Sequence, residues 1–387
     1  LKLEIRNMKV LIVILIFFTS FSVKGQEISL YDLNKVLKDG KYGDVITIKN
    51  GNYSNVNISI AGINNVKIKP RKNGAVVISG TSSINIFNSK SVTLEGFSFN
   101  QNKVQELLTI QNSPSCTVNN NYFYSNGSQR YGSVIIFKGQ SSNGKVTFNT
   151  FDGNKAIGVA VLEGSSNILI KNNKFLNVAN VKTVYPKSDG NGMECVQIGR
   201  KGNWDSEVTI ENNYFKNIIG DRSEIISIKS DRVKVIRNNF FDCSGGVTLR
   251  MSNSSIINQN YFSNVSNSIR IHGSNHIIEG NTILGAIIGI QLPAGDNLKN
   301  TKNFYKSAYN VSIKRNVVVK TKTPILLGNS SFGRSDLPTQ IDFQENSFDR
   351  KNWYAENGKA KAFVSGSNKV NVDSVSLMNN FSSGVDW

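Results

Sequence analysis

A short phrase built on asparagine recurs through this chain and leaves few folds open to it. It reads "NNNYF", "FNTF", "NNKF", "NNYF", "RNNFF", "NQNYF", "GNTIL", "KRNVV" and "QENSF". Aligned on asparagine, the repeats fall at Asn121, Asn149, Asn173, Asn213, Asn239, Asn260, Asn281, Asn316 and Asn346. The shortest interval is 21 residues and most others lie between 24 and 30. An alternating apolar segment such as "VTIEN", "VKVIRN" or "HIIEGN" precedes each asparagine. Short strands at this period, with Gly, Asn and Ser between them, describe a solenoid. A helical solenoid would need long stretches of 3.6-residue periodicity, and none follows residue 40.

The pattern therefore predicts an all-β fold, a right-handed parallel β-helix with two or three short strands per coil. Alternate residues fill the interior, and the turn asparagines stack and satisfy turn amides. One helix is expected, over "SLYDLNKVLKDG", with Leu30, Leu33, Val36 and Leu37 on one face. It precedes the first coil, where a solenoid needs a cap over its open apolar end. A single domain is expected over residues 26–387, with no linker.

Residues 1–25 have the grammar of an export signal. Met8 and Lys9 lead into "VLIVILIFFTSFS", and Val23-Lys24-Gly25 offers a small residue at a cleavage point. The apolar run is short for a membrane span, and no later stretch is apolar enough for one. The expected location is secreted or periplasmic. The formal charge of +18 becomes +15 once those residues are removed, with 41 basic against 26 acidic side chains. An exported basic protein suggests a polyanionic partner. The cations are scattered between strands rather than gathered into an arm, which disfavours nucleic acid and points to an acidic polysaccharide. Cys116, Cys195 and Cys243 are too few for a disulfide framework and are expected to be buried thiols. A monomer is expected.

Residues one coil apart in a β-helix lie about 4.8 Å from each other. In "GVTLRMS", inward Val247 and Leu249 leave Arg250 outside; in "SIRIHG", inward Ile269 and Ile271 leave Arg270 and His272 outside. In "IGIQLP", Gln291 faces out. Lys229 in "EIISIKS" precedes Arg250 by 21 residues, and the next two intervals are 20 and 21. The spacing predicts one outward ladder, Lys229, Arg250, Arg270 and Gln291. Stacked cations repel, so such a row is tolerable if a polyanion lies along it. A solvated row without function is the competing expectation. A second match aligns "MECVQIG" with "SEIISIK", pairing Glu194 with Glu224. Two adjacent carboxylates need a cation between them or a shared proton. Calcium or Arg222 could serve. Strict alternation puts Glu224 on the side of Ile226 and Ile228, so the strand must bend for both Glu224 and Lys229 to face out.

The stretches "GDVITIKNGNYSNV", "NGMECVQIG", "EIISIKS", "GGVTLRMS" and "SIRIHGSNHIIEGN" resemble family 6 polysaccharide lyases, the alginate lyase and chondroitinase B group. The resemblance implies a parallel β-helix and β-elimination across a uronate glycosidic bond. It implies Lys229 as general base and Arg250 as general acid or oxyanion stabiliser. Arg270, His272, Gln291 and Gln197 are then the expected substrate contacts. Members that use calcium carry two acids flanking one residue before the catalytic strand; here that pattern reads Arg222-Ser223-Glu224. The expectation is that Arg222 replaces the ion, bridging Glu194 and Glu224, so that no cofactor is required; calcium is the alternative. Met251 follows Arg250 where many relatives carry histidine.

The expected activity is alginate cleavage. Alternatives are a chondroitinase B-like dermatan sulfate lyase and a polyuronate-binding β-helix without turnover. A glycoside hydrolase would need two catalytic carboxylates flanking the bond, and no acidic pair stands beside the row.

Overall fold

The computed structural model describes residues 27–202, 204–221, 224–296, 305–330, 333–356, 362–364 and 368–370. The chain winds into a parallel β-helix in which each coil adds one strand to each of three sheets. Among the described residues, the first sheet runs through 13 strands from Val45–Ile48 to Ala362–Val364. The second runs through 13 from Gly51–Ser54 to Lys369–Val370, and the third through 12 from Asn57–Ala61 to Tyr354–Glu356. Alternation explains the strands: Thr209–Glu211, from "VTIEN", buries only its central isoleucine fully. The expected export segment lies outside the described residues. No helix among the described residues is long and apolar enough to cross a membrane.

Two internal ladders set the register. Seven phenylalanines, Phe99, Phe123, Phe151, Phe175, Phe215, Phe240 and Phe262, stack with ring centroids 4.6–4.9 Å apart. Full burial of each contributes about 1.5–3 kcal/mol by removing apolar surface from water. Beside them runs the asparagine ladder. The Asn149 carbonyl accepts the Asn121 backbone N–H at 2.9 Å, and its amide donates to the Val118 carbonyl at 2.9 Å. The same pattern repeats up to Asn346, whose N–H donates to Asn368 at 2.9 Å. The residue before each ladder asparagine is left-handed, from Asn120 at φ 51° to Glu345 at φ 52°, which turns the chain sharply from the first sheet into the second.

One repeat is shifted from its expected phase. The ladder passes through Asn238, which accepts from Asn213 and donates to Asn260 at 2.9 Å, and not through Asn239. The stacked ring fixes the choice, because Phe240 follows Asn238 by two residues as Phe215 follows Asn213.

The N-terminal cap is present. A 3-10 turn, Leu30–Asp32, leads into the helix Leu33–Asp39, and Ser29 caps the start. Leu30, Leu33 and Leu37 are buried, Val36 is half-buried, and Gly40 ends the helix at φ 66°. Asn34 ties the helix to the first strand of the third sheet, donating to Asn57 at 2.8 Å and accepting from Ser59 at 2.9 Å. A second, four-residue helix, Val181–Val184, sits in the loop after "NNKFLNVAN", capped by the Asn180 side chain. The three cysteines are buried free thiols.

Candidate active site

The outer face of the third sheet brings the charged residues together. Ile226 and Ile228 pair with Val196 and Ile198 on one side and with Val247 and Leu249 on the other, all facing inward. Lys229 therefore points out beside Arg250, whose N–H donates to the Ile228 carbonyl at 2.8 Å. The expected four-member row does not form. The N–H of His272 donates to the Leu249 carbonyl, so the coil after Arg250 places His272 next to it, 22 residues on. Arg270 instead pairs with Thr248 and with Gln291, in the adjacent outward row that also holds Gln197 and Ser227. Counting 20 residues from Arg250 to Arg270 stops one pleat short.

The bend required at Glu224 is a β-bulge. Glu224 pairs with Gly246 and Ile226 with Val247, leaving Ile225 as the extra residue. A one-residue insertion reverses side-chain parity. It swings Glu224 outward while Ile226 and Ile228 stay in the core. Both rows of guanidinium then converge on this carboxylate: Arg270 at 2.9 Å and Arg250 at 3.5 Å. The Glu224 side chain is only 3% exposed, against 22% and 23% for the two arginines. Ser227 donates to it at 2.5 Å. Burial disfavours the charged form of Glu224, but Arg250 and Arg270 outweigh it and hold the carboxyl below its ordinary range.

Glu194 is buried on the preceding coil, and burial pushes its carboxyl up against the pull of Lys229. Its Oε2 has no hydrogen-bond partner among the described residues. Lys229 is partly buried, and its amine makes no ion pair or hydrogen bond among the described residues. Desolvation draws its pKa down, Glu194 opposes this, and the Arg250 charge reinforces it. Arg250 Nε and Arg270 Nε are buried donors without partners among the described residues.

Asp221, which the sequence did not single out, completes a trio with Glu194 and Glu224. One carboxylate oxygen from each lies within 4.8 Å of the others. Asp221 also accepts the Glu224 backbone N–H at 2.8 Å. An all-oxygen donor set with an unpartnered buried oxygen fits a hard cation such as calcium. Arg222 lies outside the described residues.

Residues 28–382 match the family model described as chondroitinase B. The chain belongs to the chondroitinase B family, polysaccharide lyase family 6. Members of polysaccharide lyase family 6 are lyases acting on polysaccharides. The fold is also similar to a family 6 alginate lyase solved with a trisaccharide, at 20% identity and TM-score 0.73, covering 89% of this chain and 83% of the other. A family 6 lyase from Pseudopedobacter saltans gives 21% identity and TM-score 0.73 over 88% and 89% of the two chains. A mannuronic acid-specific family 6 lyase from human gut microbiota gives 19% and 0.71 over 89% and 82%. No curated protein sequence matches.

On the family 6 framework the remaining expected contacts separate. Gln291 is half-buried and donates to Asn329 at 3.0 Å. Gln197 is buried and donates to the Gly199 carbonyl at 3.0 Å. His272, expected on the open face, is fully buried because the loop carrying Tyr305 and Lys306 covers it. Burial and the nearby Arg270 and Arg334 charges push its pKa well down, leaving it neutral. His276 is an interior residue, lowered to about 4 by burial, and accepts the Ser255 N–H at 3.1 Å. The Tyr185 and Lys187 loop faces Gln129 and Arg130 across a cleft of about 550 Å³. Sequence reasoning missed Tyr305 and Arg334, which lie 55 and 84 residues from Arg250 and carry no repeat signal.

Proposed function

We propose that this family 6 member is an exported alginate lyase that cleaves by β-elimination, with Lys229 as base and Arg250 as charge stabiliser. The observation that carries the proposal is Lys229 and Arg250 on adjacent rungs of the outer face, close enough for the Arg250 charge to help lower the Lys229 pKa. The outward carboxylates there, Glu194 and Glu224, are buried among cations. That favours elimination over hydrolysis, which needs an acid and a base flanking the bond.

The C5 proton of a uronate is weakly acidic because the neighbouring carboxylate is already negative. Positive charge stabilises the anion as it develops, usually the largest catalytic contribution. The neutral Lys229 amine takes the C5 proton, the C–H electron pair becomes the C4–C5 double bond, and the C4–O bond breaks. The leaving oxygen takes its proton from water or from a donor aligned by Arg250. Lysine starts near pKa ~10.4, and desolvation together with Arg250 moves Lys229 toward the form that can accept a proton. The unpartnered Nε donors of Arg250 and Arg270 suit an incoming carboxylate. Two arrangements would add positive charge at the trio. One is the Arg222 guanidinium. The other is an oxygen-seeking ion held by Glu194, Asp221 and Glu224, which when bound would help neutralise a uronate carboxylate; the unpartnered Glu194 Oε2 supports it.

Alginate is favoured over dermatan sulfate because the similar folds include alginate lyases. Export rests on the apolar run after Lys9. The test is incubation with alginate and, separately, dermatan sulfate, following ultraviolet absorbance of the new double bond. Lys229→Ala should lower the alginate rate about 10²–10⁴-fold, the usual worth of a general base, with an unchanged melting curve. New reducing ends without absorbance would mean hydrolysis. Binding without either product would mean a non-catalytic polyuronate binder.

A further inference from the structure

Tyr305 is buried against the charged cluster, and a loop module holds it there. The Asp296 N–H donates to the Tyr305 carbonyl and the Tyr305 N–H to the Asp296 carboxylate, both at 2.7 Å. Arg334 Nε donates to the other Asp296 oxygen at 2.7 Å. The Arg334 guanidinium carbon then lies 4.0 Å from the centre of the Tyr305 ring. A third strip of chain closes the module, since the Gly295 N–H donates to the Asp336 carbonyl at 2.6 Å and Ser307 donates to the Asp336 carboxylate at 2.5 Å.

What the module presents to the site is one aromatic ring. The Arg250 guanidinium carbon lies 4.9 Å from the Tyr305 ring centre. The His272 ring packs 5.1 Å from that of Tyr305 at 60°. Arg250 would otherwise be loosely held. Among the described residues its one side-chain ion pair is the 3.5 Å contact to Glu224, the longer of the two arms on that carboxylate, and its Nε finds no partner there. A planar cation over an aromatic face is attracted by the ring quadrupole, and more strongly when desolvated. The ring limits where the guanidinium plane can lie without neutralising it, as a second carboxylate would.

We infer that Tyr305 is a positioning residue for the lyase reaction: its ring, braced by Asp296 and Arg334, fixes the Arg250 guanidinium beside Lys229. This rests on the family 6 elimination proposed above. A positioned group contributes at the transition state more than in substrate binding, so its loss lowers kcat and leaves KM nearly unchanged.

The experiment compares Tyr305→Met, which fills the volume without a ring, with Tyr305→Phe, which keeps the ring and removes the hydroxyl. Alginate turnover is measured by double-bond absorbance. In parallel, the Arg250 side-chain resonances are followed by NMR, assigned by their disappearance in Arg250→Lys. Wild type and Tyr305→Phe should show Arg250 δ-methylene protons shifted upfield by the ring current, and Tyr305→Met should lose the shift. Tyr305→Met should lower kcat about tenfold, equivalent to 1.4 kcal/mol at the barrier, with KM within about twofold. Tyr305→Phe should retain kcat within about threefold. The inference is overturned if wild-type Arg250 shows no upfield shift, if Tyr305→Met keeps both the shift and kcat, or if Tyr305→Phe is as impaired as Tyr305→Met. If wild type yields no unsaturated product, the elimination proposal fails by itself and the NMR comparison still decides the clamp. Should Tyr305→Met not fold, the wild-type shift and the Tyr305→Phe rate decide it.

Discussion

Replacing Glu224 by glutamine tests the electrostatic design of the site through stability rather than turnover. Glu224 is the shared counter-charge of two guanidiniums, at 2.9 Å and 3.5 Å, and its side chain is 3% exposed. Glu224→Gln keeps the shape and one acceptor but leaves both cations without a carboxylate in a partly desolvated place. Removing one partner from a buried pair costs about 3–5 kcal/mol. The arginines are about a fifth exposed, so water recovers part of this and about 3 kcal/mol is expected. With an unfolding entropy of about 2.1 cal/mol/K per residue, a chain of this length loses about 4 °C of Tm for that change. The effect has a signed pH dependence. The folded carboxyl is held below its unfolded value. Its stabilisation is therefore complete above the unfolded pKa of about 4.3 and lost as pH falls through the lower folded value. Melting of wild type and Glu224→Gln at pH 7, 5.5 and 3.5 should show a gap at the first two that narrows at the third. Equal stability at pH 7, or a gap of the same size at pH 3.5, refutes the shared counter-charge.

The ladder phase predicts that Asn238→Ala costs about 2–4 kcal/mol, because it leaves buried backbone groups unpaired on two coils, whereas Asn239→Ala costs less than about 0.5 kcal/mol; urea unfolding of the pair measures both. At the carboxylate trio, dialysis against EDTA and re-addition of calcium should remove and restore alginate turnover if Glu194, Asp221 and Glu224 hold an ion. Turnover unchanged by chelation, together with its loss in Arg222→Ala, assigns that place to the guanidinium.

The period, the coil and the inward residues were legible because each is repeated many times, and an error in one repeat is corrected by its neighbours. The slip between Asn238 and Asn239 arose where two asparagines stand together and only the following ring sets the phase. The neighbourhood of Lys229 and Arg250 was legible from the apolar residues before each. Arg270 was assigned to the wrong row because Arg270 and His272 share the outward parity, and parity alone does not say which of the two stands one coil from Arg250. The bulge at Ile225 was legible only as a conflict, since Glu224 and Lys229 could not both face out on a regular strand. Tyr305 and the burial of His272 were not legible at all. Loops depart from the repeat, and what they cover depends on tertiary contact rather than period. Asp221 was overlooked for a different reason: the family spacing directed attention one residue on, to Arg222.

Lys229 and Arg250 directly follow the seventh and eighth of the twelve described strands in the third sheet, and Arg270 lies in the ninth. In a solenoid each rung is supported by the rungs immediately above and below it, so disorder enters from the ends and works inward. Several terminal turns can open and reclose while these central rungs remain bonded on both sides. Such an enzyme should tolerate trimming, fusion or heat-induced fraying at its tips with little change in rate, and fail abruptly once the melted front reaches the middle.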